Sequence, residues 1–184
     1  MTEDKKLVIK LFESKNIEAR HFSKKSKGKK ADFELYSEDH LFGYCELKSI
    51  LDYDCYGEHH DPTYNKIQNK IHEATKQFKS VNPDHSRPNI VFFINDTKKV
   101  GWQDLWYVLT GQVTPPTQPS EPIDLQYLKR LLKKDDLAAL DYFIWADTFG
   151  KNISFTINVD SHFINELKES ISSKAYEKKN INDI

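Results

Sequence analysis

A strongly periodic helix stands between two apolar strands, and this arrangement restricts the folds open to the chain more than any other feature. Tyr64, Ile67, Ile71, Ala74 and Phe78 recur at spacings of three and four, which marks one face of an α-helix. Pro62 suits its first turn. Before it, LFGYCELKSI (41–50) reads as a strand. After it, Pro88 leads into NIVFFIN (89–95), a buried-strand run. Strand, helix, strand is a crossover, and it lays the second strand parallel to one already in the sheet.

The elements ahead of the crossover supply antiparallel partners. Leu7, Val8, Leu11 and Phe12 fall at helical spacing behind Thr2, Glu3 and Asp4, so a helix is expected there, ending near Asn16. IEARHF (17–22) is a short strand, SKKSKGKK (23–30) a basic loop, ADFELY (31–36) an alternating strand and SEDH a turn. The order to residue 95 is therefore α-β-β-β-α-β. It predicts an α/β fold with a mixed sheet flanked by helices.

Beyond this core, WQDLWYVLTG (102–111) reads as a short helix closed by Gly111. Four prolines in 112–122 mark a linker, so the chain divides into a core over 1–111, that linker, and an extension over 123–184 packed on the same domain. The extension is read as helix 123–140, a hairpin of strands 141–147 and 153–159 around Gly150, and a helix 161–170 capped by Asp160 or Ser161. The polar tail after Ser173 is expected to fray.

Composition excludes some classes. With 184 residues the chain suits one domain, and 11 Phe, 9 Tyr and 3 Trp supply core volume. A net charge of −1 points to no partner by itself. Two cysteines without a CxxC pair, charges where a signal peptide would be apolar, and no run approaching a membrane span predict a soluble cytoplasmic protein with reduced thiols.

Chemistry concentrates on the two hairpin strands. Side chains alternate along a strand, which assigns Phe42, Tyr44, Glu46 and Lys48 to one face and Gly43, Cys45 and Leu47 to the other. Glu46 and Lys48 then stand about 6.5 Å apart. Pairing through SEDH brings Asp32 to the same face. Two carboxylates at one spot repel unless a cation lies between them. Hard oxygen donors with open positions suit Mg²⁺, which favours a substrate phosphate as a further ligand. An adjacent lysine can orient or deprotonate a water, and the set becomes a device for attacking a phosphodiester.

Asp32, thirteen residues, then Glu46-Leu47-Lys48 resembles the signature of the PD-(D/E)XK nuclease superfamily, the restriction endonuclease-like fold. The α-β-β-β-α-β order over residues 5–95 is also similar. Ala31 stands where that family often has proline. The resemblance implies that Asp32, Glu46 and the backbone carbonyl of Leu47 bind Mg²⁺, with Mn²⁺ as substitute. It implies that Lys48 positions or activates the attacking water, and that DNA is cut to 5′-phosphate and 3′-hydroxyl ends, in a homodimer where both strands are cleaved. Some members add a glutamate from the first helix, here Glu13, or a polar residue from the helix after the motif, here Gln68 or Lys70, with Gln77 further along.

Other readings compete. Asp32, Glu46 and Lys48 would form an ordinary ion pair on a solvated strand face, which contributes little. Glu13, Gln68 and Lys70 would be exposed helix positions. Lys24, Lys25, Lys27, Lys29 and Lys30 lead into the Asp32 strand and would grip phosphates, or only solubilise a loop. Cys55, Glu58, His59 and His60 match no zinc spacing. Trp102, Trp106 and Tyr107 suit core packing better than base stacking. The expected function is a Mg²⁺-dependent DNA endonuclease. The alternatives are a nuclease on RNA or branched DNA and an inactive nucleic-acid- or protein-binding module.

Overall fold

A computed structural model describes residues 2–22, 30–51, 62–111, 132, 134–174 and 176–183. Helix α1 (Glu3–Glu13) leads into strands β1 (Glu18–His21), β2 (Phe33–Ser37) and β3 (His40–Leu51). Helix α2 (Pro62–Val81) crosses to β4 (Asn89–Asp96), followed by α3 (Trp102–Thr110) and the single turn α4 (Lys134–Leu137). Strands β5 (Tyr142–Asp147) and β6 (Asn152–Ile157), helix α5 (Ile164–Ser170), strand β7 (Tyr176–Asn180) and a 3₁₀ turn (Ile181–Asp183) complete the described chain.

All seven strands form one mixed sheet in sequence order. The first three are an antiparallel meander, β3, β4 and β5 are parallel, and β6 and β7 return antiparallel. The parallel strands carry the heaviest apolar load because helices cover both their faces, and β4 is buried at every position but its last. On one face α1 and α5 pack Val8, Leu11, Phe12, Leu167 and Ile171 against Phe33, Cys45, Phe92 and Ile144. On the other, α2 and α3 pack Ile67, Ile71, Phe78, Leu105 and Val108 against Tyr44, Val91, Phe93 and Phe143. Since β5 to β7 belong to the same sheet as β1 to β4, the residues on the two sides of the proline-rich stretch share one fold.

Three expectations need correction. The last helix begins at Ile164 behind Phe163, not behind Asp160 or Ser161. Phe42 does not share a face with Tyr44: it packs with Cys45 on the α1 side, while Tyr44 lies on the α2 side. The register shifts between Leu35 and Tyr36, which pair with Gly43 and Leu41, so Phe42 is the extra residue of a bulge. A bulge breaks the two-residue alternation on which the face assignment relied. Gly43 also sits where a Cβ would come within 2.7 Å of the Pro88 carbonyl, the oxygen that accepts the Tyr44 N–H at 2.9 Å.

The tail after Ser173 is not frayed throughout. Tyr176–Asn180 pairs with Thr156–Asn152 as an edge strand, and Tyr176 stacks on Trp102 with ring centroids 4.6 Å apart. Its charged side chains hide it from a search for apolar alternation, yet charges suit a sheet edge. The expected linker and most of helix 123–140 lie outside the described residues.

Candidate active site

Strand lengths create the site. β3 has twelve residues and β2 only five, so the second half of β3 runs past the start of β2. The last paired position is Phe33 opposite Cys45. Asp32 stands just beyond it, beside Glu46 and Leu47.

The two acids are joined reciprocally. The Leu47 N–H donates to Asp32 Oδ2 at 3.1 Å, and the Asp32 N–H donates to Glu46 Oε2 at 3.1 Å. Each carboxylate thus satisfies a backbone group left open where the ladder ends. Within a strand a residue's N–H and C=O point to the same side, so the Leu47 carbonyl faces the Asp32 side as well.

Cations approach from both layers. Lys48 Nζ lies 2.9 Å from Glu46 Oε1, 3.5 Å from Glu73 Oε2, and donates to Gln77 Oε1 at 2.9 Å. From the α1 side, Lys5 Nζ is 3.9 Å from Asp32 Oδ1, and Asp4 Oδ2 accepts the Ser49 hydroxyl at 3.0 Å. Gln77 also donates to the Lys30 carbonyl at 3.1 Å, and Lys30 Nζ lies 5.1 Å from the centre of the Phe22 ring.

Glu46 is only 2 % exposed. Burial pushes its carboxyl up to about 7; Lys48 opposes the shift and Asp32 adds to it. This is not an ion pair on a solvated face. It is a nearly buried acid whose charged form the surroundings do not fully stabilise, beside a second acid that reaches solvent.

The helix candidates fall differently. Glu13 is exposed at the C-terminal end of α1, about 12 Å along the helix from Lys5 at the usual rise. Asp4 and Lys5 are the α1 residues at the site. Gln68 and Lys70 are partly buried on α2. Gln68 lies roughly 14 Å along that helix from Gln77, the residue that touches Lys48. Helical phase permits each of these positions, and only the direction in which each helix crosses the sheet selects among them.

Lys24, Lys25, Lys27 and Lys29 lie outside the described residues, as do Cys55, Glu58, His59 and His60. Trp102 is buried and meets Trp106 of the same helix edge-on at 6.2 Å, and Tyr107 meets Tyr64 of α2 in the same manner at 6.4 Å, so these rings pack within α3 and between α3 and α2.

Asp32, Glu46 and the Leu47 carbonyl are the oxygens that could hold a cation here. Among the described residues no cluster of three or more His, Cys, Asp or Glu side chains is disposed to hold a metal. Two carboxylates and a carbonyl oxygen, one acid open to solvent, nevertheless suit a hard cation that keeps part of its water shell. The Lys48 ammonium beside Glu46 occupies ground where positive charge is favoured.

No family model, curated protein or solved structure matches the chain. Among the described residues no helix is long and apolar enough to cross a membrane.

Proposed function

We propose that this protein is a metal-dependent nuclease of the restriction endonuclease-like class, acting on DNA. One observation carries the reading. Asp32, Glu46 and Lys48 meet where β3 outruns β2, with Glu46 buried and its carboxyl raised to about 7 by that burial. A buried acid with a raised pKa beside a fixed cation is a functional-site candidate. The antiparallel meander followed by a right-sized helical crossover supports the same reading.

Asp32, Glu46 and the Leu47 carbonyl would hold Mg²⁺, or Mn²⁺ in its place. Such an ion polarises a phosphoryl oxygen and lowers the pKa of water. The protein's own groups do the rest. Lys48, fixed by Glu46 and Gln77, points an N–H at the attacking water and places positive charge where the phosphorane gains negative charge. Hydrolysis joins the water oxygen to phosphorus and breaks the P–O3′ bond. The water proton passes to solvent, and the 3′ oxygen gains one. Gln77 keeps Lys48 from swinging wholly onto Glu46.

The reciprocal clamp between Asp32 and Glu46 favours a second reading. In it the acids only close the end of the strand pair, and the fold serves as a binding module. Incubation of supercoiled plasmid, single-stranded DNA and RNA with Mg²⁺, Mn²⁺ or EDTA separates the two, with wild type beside Asp32→Ala and Lys48→Ala. Metal-dependent cleavage lost in both variants is the expected result. A folded wild type that leaves all three substrates intact overturns the nuclease reading.

A further inference from the structure

The end of the sheet that holds the site carries another feature, which catalysis does not use. Because β3, β4 and β5 are parallel, their C-terminal ends emerge together: Leu51 is level with Asp96, and Asn95 with Asp147. The β5–β6 turn, Thr148 to Lys151, projects from this end. At its tip Phe149 is 53 % exposed. Lys98, from the segment after β4, holds its ammonium 5.4 Å from the centre of the Phe149 ring. Lys98 and Lys151 are both exposed, and among the described residues neither is paired with a carboxylate.

Two acids stand nearby, and local donors occupy both. Thr148 Oγ1 donates to Asp96 at 3.0 Å, and the N–H groups of Phe149 and Gly150 donate to Asp147 at 3.1 Å. Asp147 is thus turned back into the backbone of the turn and Asp96 is held on the Thr148 hydroxyl, which leaves the ring and the lysines at the surface. Val159 is the other large apolar side chain exposed among the described residues. It lies past the C-terminal end of β6, at the opposite end of the sheet.

We propose that this tip is a second contact for the nucleic-acid strand, with Phe149 stacking on an unpaired base and Lys98 and Lys151 meeting flanking phosphates. The choice of partner rests on the nuclease reading. An exposed ring with adjacent lysines is the combination that holds single strands without regard to sequence. The spacing agrees. Lys48 is level with Phe93 and Trp145, so Phe149 lies two strands across and four residues on. That places it about 16 Å from Lys48, roughly five nucleotide steps along a stacked strand.

Fluorescence anisotropy of a short labelled single strand tests this, on the full chain with Ca²⁺ in place of Mg²⁺ to prevent turnover. Phe149→Ala is expected to weaken binding about tenfold, and Phe149→Trp to restore it. Lys98→Ala with Lys151→Ala is expected to weaken binding and flatten the dependence of log affinity on log salt by about 1.4. Wild-type affinity in Phe149→Ala overturns the proposal, as does wild-type binding to anionic lipid vesicles but not to the oligonucleotide. The two readings fail separately. Binding that depends on Phe149 without metal-dependent cleavage keeps the tip and removes the nuclease. Cleavage that needs Asp32 and Lys48, with binding indifferent to Phe149, does the reverse.

Discussion

Glu46 on β3 and Asp141 at the head of β5 are both buried carboxylates, 2 % and 1 % exposed, yet their surroundings differ in kind. Asp141 accepts three hydrogen bonds from the protein. His85 Nε2 donates at 2.7 Å, the Asn89 N–H at 2.8 Å and Ser161 Oγ at 2.5 Å. These ties join the heads of β4 and β5 to the segment before α5, and they hold the His85 imidazole above its ordinary pKa. Glu46 receives the Asp32 N–H, the Gln77 side chain and a lysine that it shares with Gln77 and Glu73, yet burial outweighs them and raises its carboxyl to about 7. A satisfied acid ties elements together. An acid whose partners do not offset its burial is one that a cation would stabilise in its charged form.

Exchanging the roles is the strongest way to break this contrast. Lys48→Ala and Asp32→Ala are expected to lower the cleavage rate by about 10²–10³ while the urea midpoint falls by less than in Asp141→Ala. Asp141→Ala is expected to do the opposite. It leaves His85, Asn89 and Ser161 without their acceptor and costs about 3–5 kcal/mol by urea titration, while the fraction that remains folded cleaves at the wild-type rate. A stable but inactive Asp141→Ala would end the distinction.

The pH dependence sharpens it. A carboxyl with an ordinary value of 4.5 and a folded value of about 7 binds its proton more tightly in the native state. Its contribution is complete below 4.5 and is lost as pH rises to 7, by at most about 3 kcal/mol. Glu46→Gln is expected to flatten this part of the curve in metal-free protein. The raised His85 value acts in the same direction at higher pH: its contribution is complete below 6.5 and lost as pH rises through the folded value. His85→Gln is expected to flatten only that upper part. Thermal midpoints across pH, with EDTA and then with Mg²⁺, resolve the two, and added Mg²⁺ is expected to stabilise more at pH 8 than at pH 5.

Gln77→Ala is expected to lower kcat about tenfold with little change in KM, since Gln77 acts on the substrate only by positioning Lys48. The smallest effects belong to Glu13→Ala and Gln68→Ala. Both are expected to leave cleavage within about twofold and stability within about 0.5 kcal/mol. A large loss of activity in either would mean that the site extends further along the helices than Asp4 and Gln77.

Apolar periodicity made most of the scaffold legible. It identified α2, β4 and the strands around Asp32 and Glu46, because burial on known faces imposes spacings of 3.6 and 2. The same logic failed at Phe42, where one inserted residue reverses the face, and at Tyr176–Asn180, where an edge strand needs no apolar stripe. Asp32, Glu46, Leu47 and Lys48 were legible because two paired strands of fixed register carry them.

The residues around that set were not legible in the same way. Asp4, Lys5 and Gln77 lie on helices, and a helical sequence specifies a buried face without specifying which end of it arrives at a given strand. The sequence by itself determined the order of elements, their buried faces and the juxtaposition of two acids with a lysine, since local spacing and short connections control these. Only the tertiary structure decided how far β3 overshoots β2, how deeply Glu46 is buried and which helix ends close around it. Those depend on how the layers pack over one another, and packing is settled between residues far apart in the chain.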